Sequence, residues 1–321
     1  MGYQNVGTPR FYINVIEWLA SIGSFGMADA FRTLPVSQSK SAISSSFAVG
    51  NTMTGNVFLA ILGHLGASEG IPFRMYHGIV DNVNVILASE IDIIVNASLS
   101  GDSILPDYDG FSIATYGGET SAIDDIVGIN YHGWEGTTGS LVIGTYYQMP
   151  HSPDLNLTMT REYGGVKTME TKGGASLSNS FYTKPPAWGN LGAWELASSA
   201  PAGTGSPNTK LSSSGRRIWD LSFSYLQDSD MFPLISGLNP YWVAGYNPDI
   251  ESGDTLLESN NFFSQVIHKT NGGQLPFIFQ PDSSNINPDQ WAICKLDMNS
   301  FEFEQVAKNI YNIKMKIREV W

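Results

Sequence analysis

The chain has 321 residues and a formal net charge of −13; charged residues make up only 15% and apolar residues 42%. That length allows one large or two ordinary domains, each with its own core. The acidic balance excludes nucleic-acid binding through a bulk basic field, and the sparse charge leaves the polar surface to Ser, Thr, Asn, Gln and Gly, a make-up common where surface is used up in assembly. The single cysteine, Cys294, excludes an intrachain disulfide or a thiolate metal site. Its apolar setting, Trp291–Leu296, predicts a buried, inert thiol. No apolar run reaches the roughly 18 residues of a membrane span, and the first ten residues lack the charged and apolar regions of a secretory leader, so neither is expected.

In chain order, Pro9–Trp18 is rich in β-branched and aromatic residues and predicts a strand, followed by Leu19–Ile22 and a turn at Gly23. Ser24–Asn51 predicts loops and short strands. Val57–Leu62 is a continuous apolar run between Gly55 and Gly63 and predicts a buried strand; Gly63–Ser68 turns and Ile71–Tyr76 returns. Val83, Val85 and Leu87 alternate with polar positions, as do Ile91, Ile93 and Val95, and Leu155, Leu157 and Met159. Phe111–Tyr116 and Leu141–Tyr147 are further strands. Gly164–Gly165 and Gly173–Gly174 punctuate two more. Turn signals at about ten-residue spacing favour an all-β sandwich over βαβ units. Ser198–Ser214 is Ser/Gly/Pro/Ala-rich without periodicity and marks a linker or long crossover.

Beyond it, Trp219, Leu221, Phe223 and Tyr225 alternate with polar residues, and so do Tyr311, Ile313, Met315 and Ile317. Period 2 puts one set on an apolar face and the other on a wet one. Between them, Leu256–Lys269 has helical spacing, with Asp254 as N-cap and Gly272–Gly273 as stop. Pro276–Gln280 predicts a short buried strand. The expected core is Trp219, Phe223, Tyr225, Phe277, Phe279, Tyr311 and Ile313. The cluster Lys308, Lys314, Lys316 and Arg318 is diluted by Glu302, Glu304 and Glu319 and reads as a solvated strand face.

Catalytic signatures are missing. The histidines His64, His77, His132, His151 and His268 show no metal-ligand spacing, and neither a phosphate-cradling loop nor a Gly-x-Ser-x-Gly elbow occurs. Asp107, Asp109, Asp124, Asp125 and Glu135 lie near Tyr131 and Trp134, but adjacency does not set the carboxyl separation that a glycosidase needs. Asp228–Asp230 and Asn247–Asp254 miss the twelve-residue calcium-loop pattern. No catalytic residue, cofactor or metal is expected, and the chain is read as not an enzyme. Tyr131 and Trp134 in a Gly-flanked loop, and Trp188 in the Lys184–Gly192 loop, are the candidate contacts to glycan or partner; half-buried core aromatics are the alternative for all three.

Five blocks point to a family: Thr8–Tyr12; Ala60–Ser68; Ile143–Asp154; Gly215–Leu226; and Leu275–Asp282 followed by Tyr311–Glu319. Together they resemble a family of virion structural proteins of tailed bacteriophages. The block around His64 is similar to discoidin-like, galactose-binding-type sandwiches. The C-terminal unit looks like the tail-tube-type domain of tube and distal tail proteins. The resemblance implies a mainly β protein: a strand within 1–22 joins the C-terminal sandwich, 23–200 form an inserted β-sandwich, 201–214 a linker or crossover, and 215–321 a tail-tube-like β-sandwich flanked by one helix. It also implies a tail or baseplate protein, of distal-tail or adaptor type, made in the host cytoplasm and found in the virion. Its partners would be copies of itself in a ring, expected to be a hexamer, and neighbouring phage tail proteins. DNA would pass through the lumen without specific binding. The alternative is a carbohydrate-binding module at the tail tip that contacts host surface glycans.

Overall fold

The computed structural model describes residues 6–23, 31–33, 45–48, 56–62, 72–81, 84–94, 111–116, 126–131, 140–162, 166–180, 216–233, 256–257, 259–285 and 290–320. The protein is mainly β, and the strand pairings among the described residues are antiparallel. One ten-stranded sheet dominates. Along it lie β6 (Phe111–Tyr116), β3 (Val57–Leu62), β8 (Ser140–Gln148), β1 (Arg10–Asn14), β13 (Phe277–Gln280), β14 (Ala292–Leu296), β16 (Ile310–Glu319), β12 (Arg216–Gln227) and β9 (Thr158–Glu162); β15 (Phe303–Ala307) adds to β16. A second sheet has the order β2 (Ser45–Ala48), β7 (Ile126–Tyr131), β4 (Pro72–Asp81) and β5 (Asn84–Ile94). Among the described residues β10 (Val166–Glu170) and β11 (Ser176–Ser180) pair only with each other.

β1 is the seam. It pairs with β13 through Arg10↔Gln280 to Ile13↔Phe277, and with β8 through Arg10↔Gln148 to Asn14↔Gly144. Strands from within 57–148 and strands from 216–319 therefore share one sheet. β9, from 158–162, lies beside β12 at the opposite edge. At the seam Gly144 lies so close to β1 that a Cβ there would collide with the Ile13 carbonyl oxygen, and only glycine fits.

The sheet is buried on both faces along its centre. Phe11 and Ile13 enter one cluster with Phe277, Phe279, Trp219, Leu221, Phe223 and Met315. Tyr12, between them, points to the other face and joins Phe58, Val142, Ile278 and Trp291. This is the two-face alternation of a strand. Trp219 on β12 meets Phe279 on β13 with ring centroids 5.2 Å apart, although β16 and β14 lie between these strands. In a flat sheet three strand spacings would put them about 14 Å apart, so the sheet curls around this cluster as a sandwich does.

A short helix closes the curl. Expected over Leu256–Lys269, its described turns are a π segment, Phe263–Ile267, running into a 3₁₀ turn, His268–Thr270. Asp254 lies outside the described residues. Asn261 acts as the cap, its Oδ1 accepting from the Ser264 amide at 2.8 Å. Asn271, Gly272 and Gly273, all at positive φ, end the helix. Phe262 sets its ring edge-on to Phe11 at 5.7 Å.

The N-terminal strand ends sooner than expected. Val15–Ser21 is the helix α1, because Asn14 caps it: Asn14 Oδ1 accepts from the Glu17 amide at 3.1 Å, and Asn14 Nδ2 donates to Glu17 Oε2 at 3.3 Å. Leu155 also departs from expectation. It sits in a turn before β9 rather than on an alternating strand and is fully exposed, while Pro153 before it is buried and Leu157 and Met159 after it pack on the core.

Trp219 is 1% exposed at the centre of the main cluster. Trp219→Ala should cost roughly 3–5 kcal/mol, measured by urea unfolding. A loss below about 1 kcal/mol would mean that the sheet does not curl over this residue.

Candidate assembly surface

Three sets of buried polar groups hold distant segments together. The first is Glu17, whose Oε2 accepts from the Thr33 amide at 3.0 Å and the Thr33 hydroxyl at 2.8 Å. Burial pushes its carboxyl above the usual range, and the two Thr33 bonds oppose that rise. The second is Arg217 with Glu319. Arg217 Nη2 donates to Glu319 Oε1 at 3.0 Å and to the Trp291 carbonyl at 2.9 Å, and Arg217 Nε donates to Glu319 Oε2 at 3.1 Å. This two-point pair ties β12 to β16 and to the start of β14. Cys294 lies opposite Glu319 in the ladder, fully buried, and burial raises its thiol.

The third is Lys269, fully buried on the helix. Its Nζ donates to Gln265 Oε1 at 2.8 Å, and the Thr145 hydroxyl donates to the same oxygen at 2.9 Å. The chain Thr145–Gln265–Lys269 thus pins the helix to β8. Burial brings the Lys269 ammonium down from 10.5 to about 7. An unfolded lysine keeps its proton to about pH 10.4. Above pH 7 the unfolded chain therefore binds more protons than the folded one, and this group favours folding increasingly as pH rises. Lys269→Met should be relatively most stable at or below pH 6. Its advantage over the parent should shrink by about 1.4 kcal/mol per pH unit above pH 7, followed by urea unfolding from pH 6 to 9. A pH-independent difference would mean that the buried amine does not titrate there.

Among the described residues no group of three or more His, Cys, Asp or Glu side chains could hold a metal ion. Asp228 and Asp230 belong to the four-residue helix α2 (Asp228–Met231), where Asp230 Oδ2 accepts from the Gln227 amide at 3.1 Å as a capping box. A cleft of about 500 Å³ opens beside it, lined by Gln227, Asp228, Phe232, Ser259, Asn309 and Ile310. Among these described lining residues, with Ser229 beside them, Asp228 is the one ionisable side chain.

Tyr131 is the last residue of β7, opposite Phe73 on β4, rather than part of the Gly-flanked loop. Trp134, Trp188, His64 with its Gly63–Ser68 turn, and Asp107, Asp109, Asp124, Asp125 and Glu135 lie outside the described residues.

Among the described residues, exposed large apolar side chains occur singly at Ile22, just after α1, and at Val306 on β15, and in pairs at two places. The first is the β10–β11 hairpin. Its residues 168–178 are all exposed, and Met169 and Leu177, each 59% exposed, stand directly opposite each other. The turn is closed by the Thr171 amide to the Ala175 carbonyl at 2.9 Å, with Gly174 at positive φ. The second is on β12. Expected in the core, Tyr225 is 76% exposed, and Leu226, at 1%, takes its place inside. A bulge between Phe223 and Leu226 shifts the register against β16 and reverses the alternation. Tyr225 adopts a φ of 63°, which bulky side chains rarely do, and its amide donates to Asn312 Oδ1 at 3.1 Å. Leu155 stands close by: the Asp154 amide donates to the Ser222 carbonyl at 2.8 Å, and the Ser224 hydroxyl to Asp154 Oδ2 at 2.8 Å. The other core expectations on these strands hold, with Trp219, Phe223, Phe277, Phe279 and Ile313 buried and Tyr311 partly so.

No family model, curated protein or solved structure matches the chain.

Left-handed backbone at Tyr225 favours glycine over any residue with a Cβ. Tyr225→Gly should therefore be more stable than Tyr225→Ala by about 1 kcal/mol, read from thermal or urea unfolding of the two variants. An alanine variant as stable as the glycine one would place the bulge elsewhere in solution.

Proposed function

We propose that the chain is a non-enzymatic structural component of a tailed-bacteriophage virion, a tail or baseplate protein of distal-tail or adaptor type that assembles with copies of itself into a ring. The observation that carries the assembly is the Val166–Ser180 hairpin, a two-stranded element with an exposed Met169–Leu177 pair and no third strand among the described residues. An isolated two-stranded hairpin is at best marginally stable in water and gains stability when a further surface covers it. The low charge content of the chain suits a surface covered in this way. The virion assignment is supported by the five sequence blocks; they do not contain a catalytic signature. In a six-fold ring, the net charge of −13 would let DNA pass a lumen without sticking to it, and neighbouring tail proteins would meet the ring's two ends.

The solution mass of the purified chain, followed by negative-stain images of the same sample, tests the proposal. A ring of defined copy number is expected, growing in population with concentration. A chain that remains a monomer at the highest soluble concentration, with no ring in images, overturns it.

A further inference from the structure

We infer that the contact between copies is head-to-tail, the β10–β11 hairpin of one copy covering the Leu155–Tyr225 patch of the next. The inference rests on the self-assembly proposed above and names the two surfaces that meet.

The two features leave the edge strand β9 from opposite ends. β9 pairs with β12 from Thr158↔Asp220 to Glu162↔Arg216. Leu155 precedes its start, on the side where β12 continues to Ser222, Ser224 and Tyr225; the hairpin follows its end, beyond Arg216. Each copy therefore carries a projecting element at one end of its edge and a receiving patch at the other. A contact between two different patches repeats from copy to copy and closes into a ring when the rotation allows.

The two surfaces also match in chemistry. The hairpin offers one apolar pair, Met169 and Leu177; the patch offers another, Leu155 and Tyr225. Around Tyr225 stand two carboxylates, each held by a neighbour: Asp154 by the Ser224 hydroxyl, and Glu304 by Asn312 Nδ2 at 3.5 Å, with Lys314 across the ladder from Ser222. The hairpin sequence carries Lys167 and Lys172 against Glu170, a net positive segment in a chain of net charge −13. A second copy supplies both the apolar pair and the opposite charge.

The backbone of the patch is held on both sides: the Tyr225 amide donates to Asn312, and the residue before Leu155 is bonded to β12, so covering the patch orders its side chains more than its backbone.

Cysteine trapping tests this directly, because the only native thiol, Cys294, is fully buried. Leu155→Cys and Leu177→Cys chains are made separately, mixed under mild oxidation and run on non-reducing gels. The mixture should give disulfide-linked dimers, while each variant alone stays a single chain. Both substitutions in one chain should give a ladder ending at the ring's copy number. Tyr225→Gly should weaken self-association at least tenfold while its unfolding midpoint does not fall. A parent chain that forms multimers, with a mixture that does not cross-link, overturns this contact and leaves self-assembly standing. So does Leu177→Cys linking to itself as readily as to Leu155→Cys, which would mark a two-fold contact. A parent chain that is monomeric throughout overturns both.

Discussion

The position of β1 is the constraint on which the rest of the fold depends. Arg10–Asn14 is hydrogen-bonded on one side to β8 and on the other to β13, so β3, β6 and β8 share a sheet with the strands from 277–319 through these five residues. Both faces of this strand are buried. Phe11 and Ile13 pack beneath the helix and against β13, while Tyr12 packs between Phe58 and Trp291 on the reverse. The Tyr12 hydroxyl is satisfied by Gln280 at 3.0 Å, and burial raises its ionisation to about 12, so the apolar environment tolerates only the neutral phenol. Gly144 completes the seam, since a side chain there would push β8 away from β1. The pairing Arg10↔Gln280 spans nearly the whole chain, and loops of that length are closed late and slowly.

Where the curled sheet buries polar side chains, it does so in sets that join distant segments. Arg217 and Glu319 connect β12 and β16 to the Trp291 carbonyl; Asn14 and Glu17 hold Thr33; Gln265 bridges Thr145 and Lys269. Removing Arg217 or Glu319 leaves the opposite buried charge without its compensation, which costs more than the net gain from forming the pair. The hydrophobic surfaces on both sides of the sheet would tolerate several registers. Each polar set has one geometry: Arg217 and Glu319 join the neighbouring strands β12 and β16, Asn14 and Glu17 hold Thr33 to α1, and Gln265 holds the helix to β8.

Much of this was legible in the sequence because the strands obey a simple period. Val57–Leu62 and Phe111–Tyr116 appear as strands with the bounds that their apolar runs suggested, and Trp219, Leu221 and Phe223 face inward as alternation requires. The departures have local causes. Pro9–Trp18 looked like a single strand because Tyr12, Ile13, Val15 and Ile16 are strand formers; the capping pair Asn14 and Glu17, three residues apart, was present in the sequence and outweighed them. Leu155 was assigned by alternation to a strand that starts only at Thr158, after two prolines and a turn. The sharing of one sheet by the two halves of the chain carries no sequence signal, since pairing partners are chosen by tertiary packing. Of the three aromatics singled out for contact, Tyr131 has a described backbone at the end of β7, and Trp134 and Trp188 lie outside the described residues. The exposed hairpin was visible only as two short strands between glycine pairs, because nothing in a hairpin's own residues says whether a third strand covers it.

Tyr225 is the departure with the most meaning. Continued alternation would bury it, and a bulge instead turns it outward at a backbone angle that a tyrosine adopts only at a cost. A core-filling explanation fails, because Leu226 occupies the inner position that the bulge frees. A solubility explanation fails as well, since an exposed tyrosine beside a fully exposed leucine adds apolar surface. Places where a sequence breaks its own local pattern tend to be places of use. Among the described residues the broken pattern lies at one end of β9 and the exposed hairpin follows the other, and the head-to-tail contact inferred above would cover both in every molecule of a closed ring.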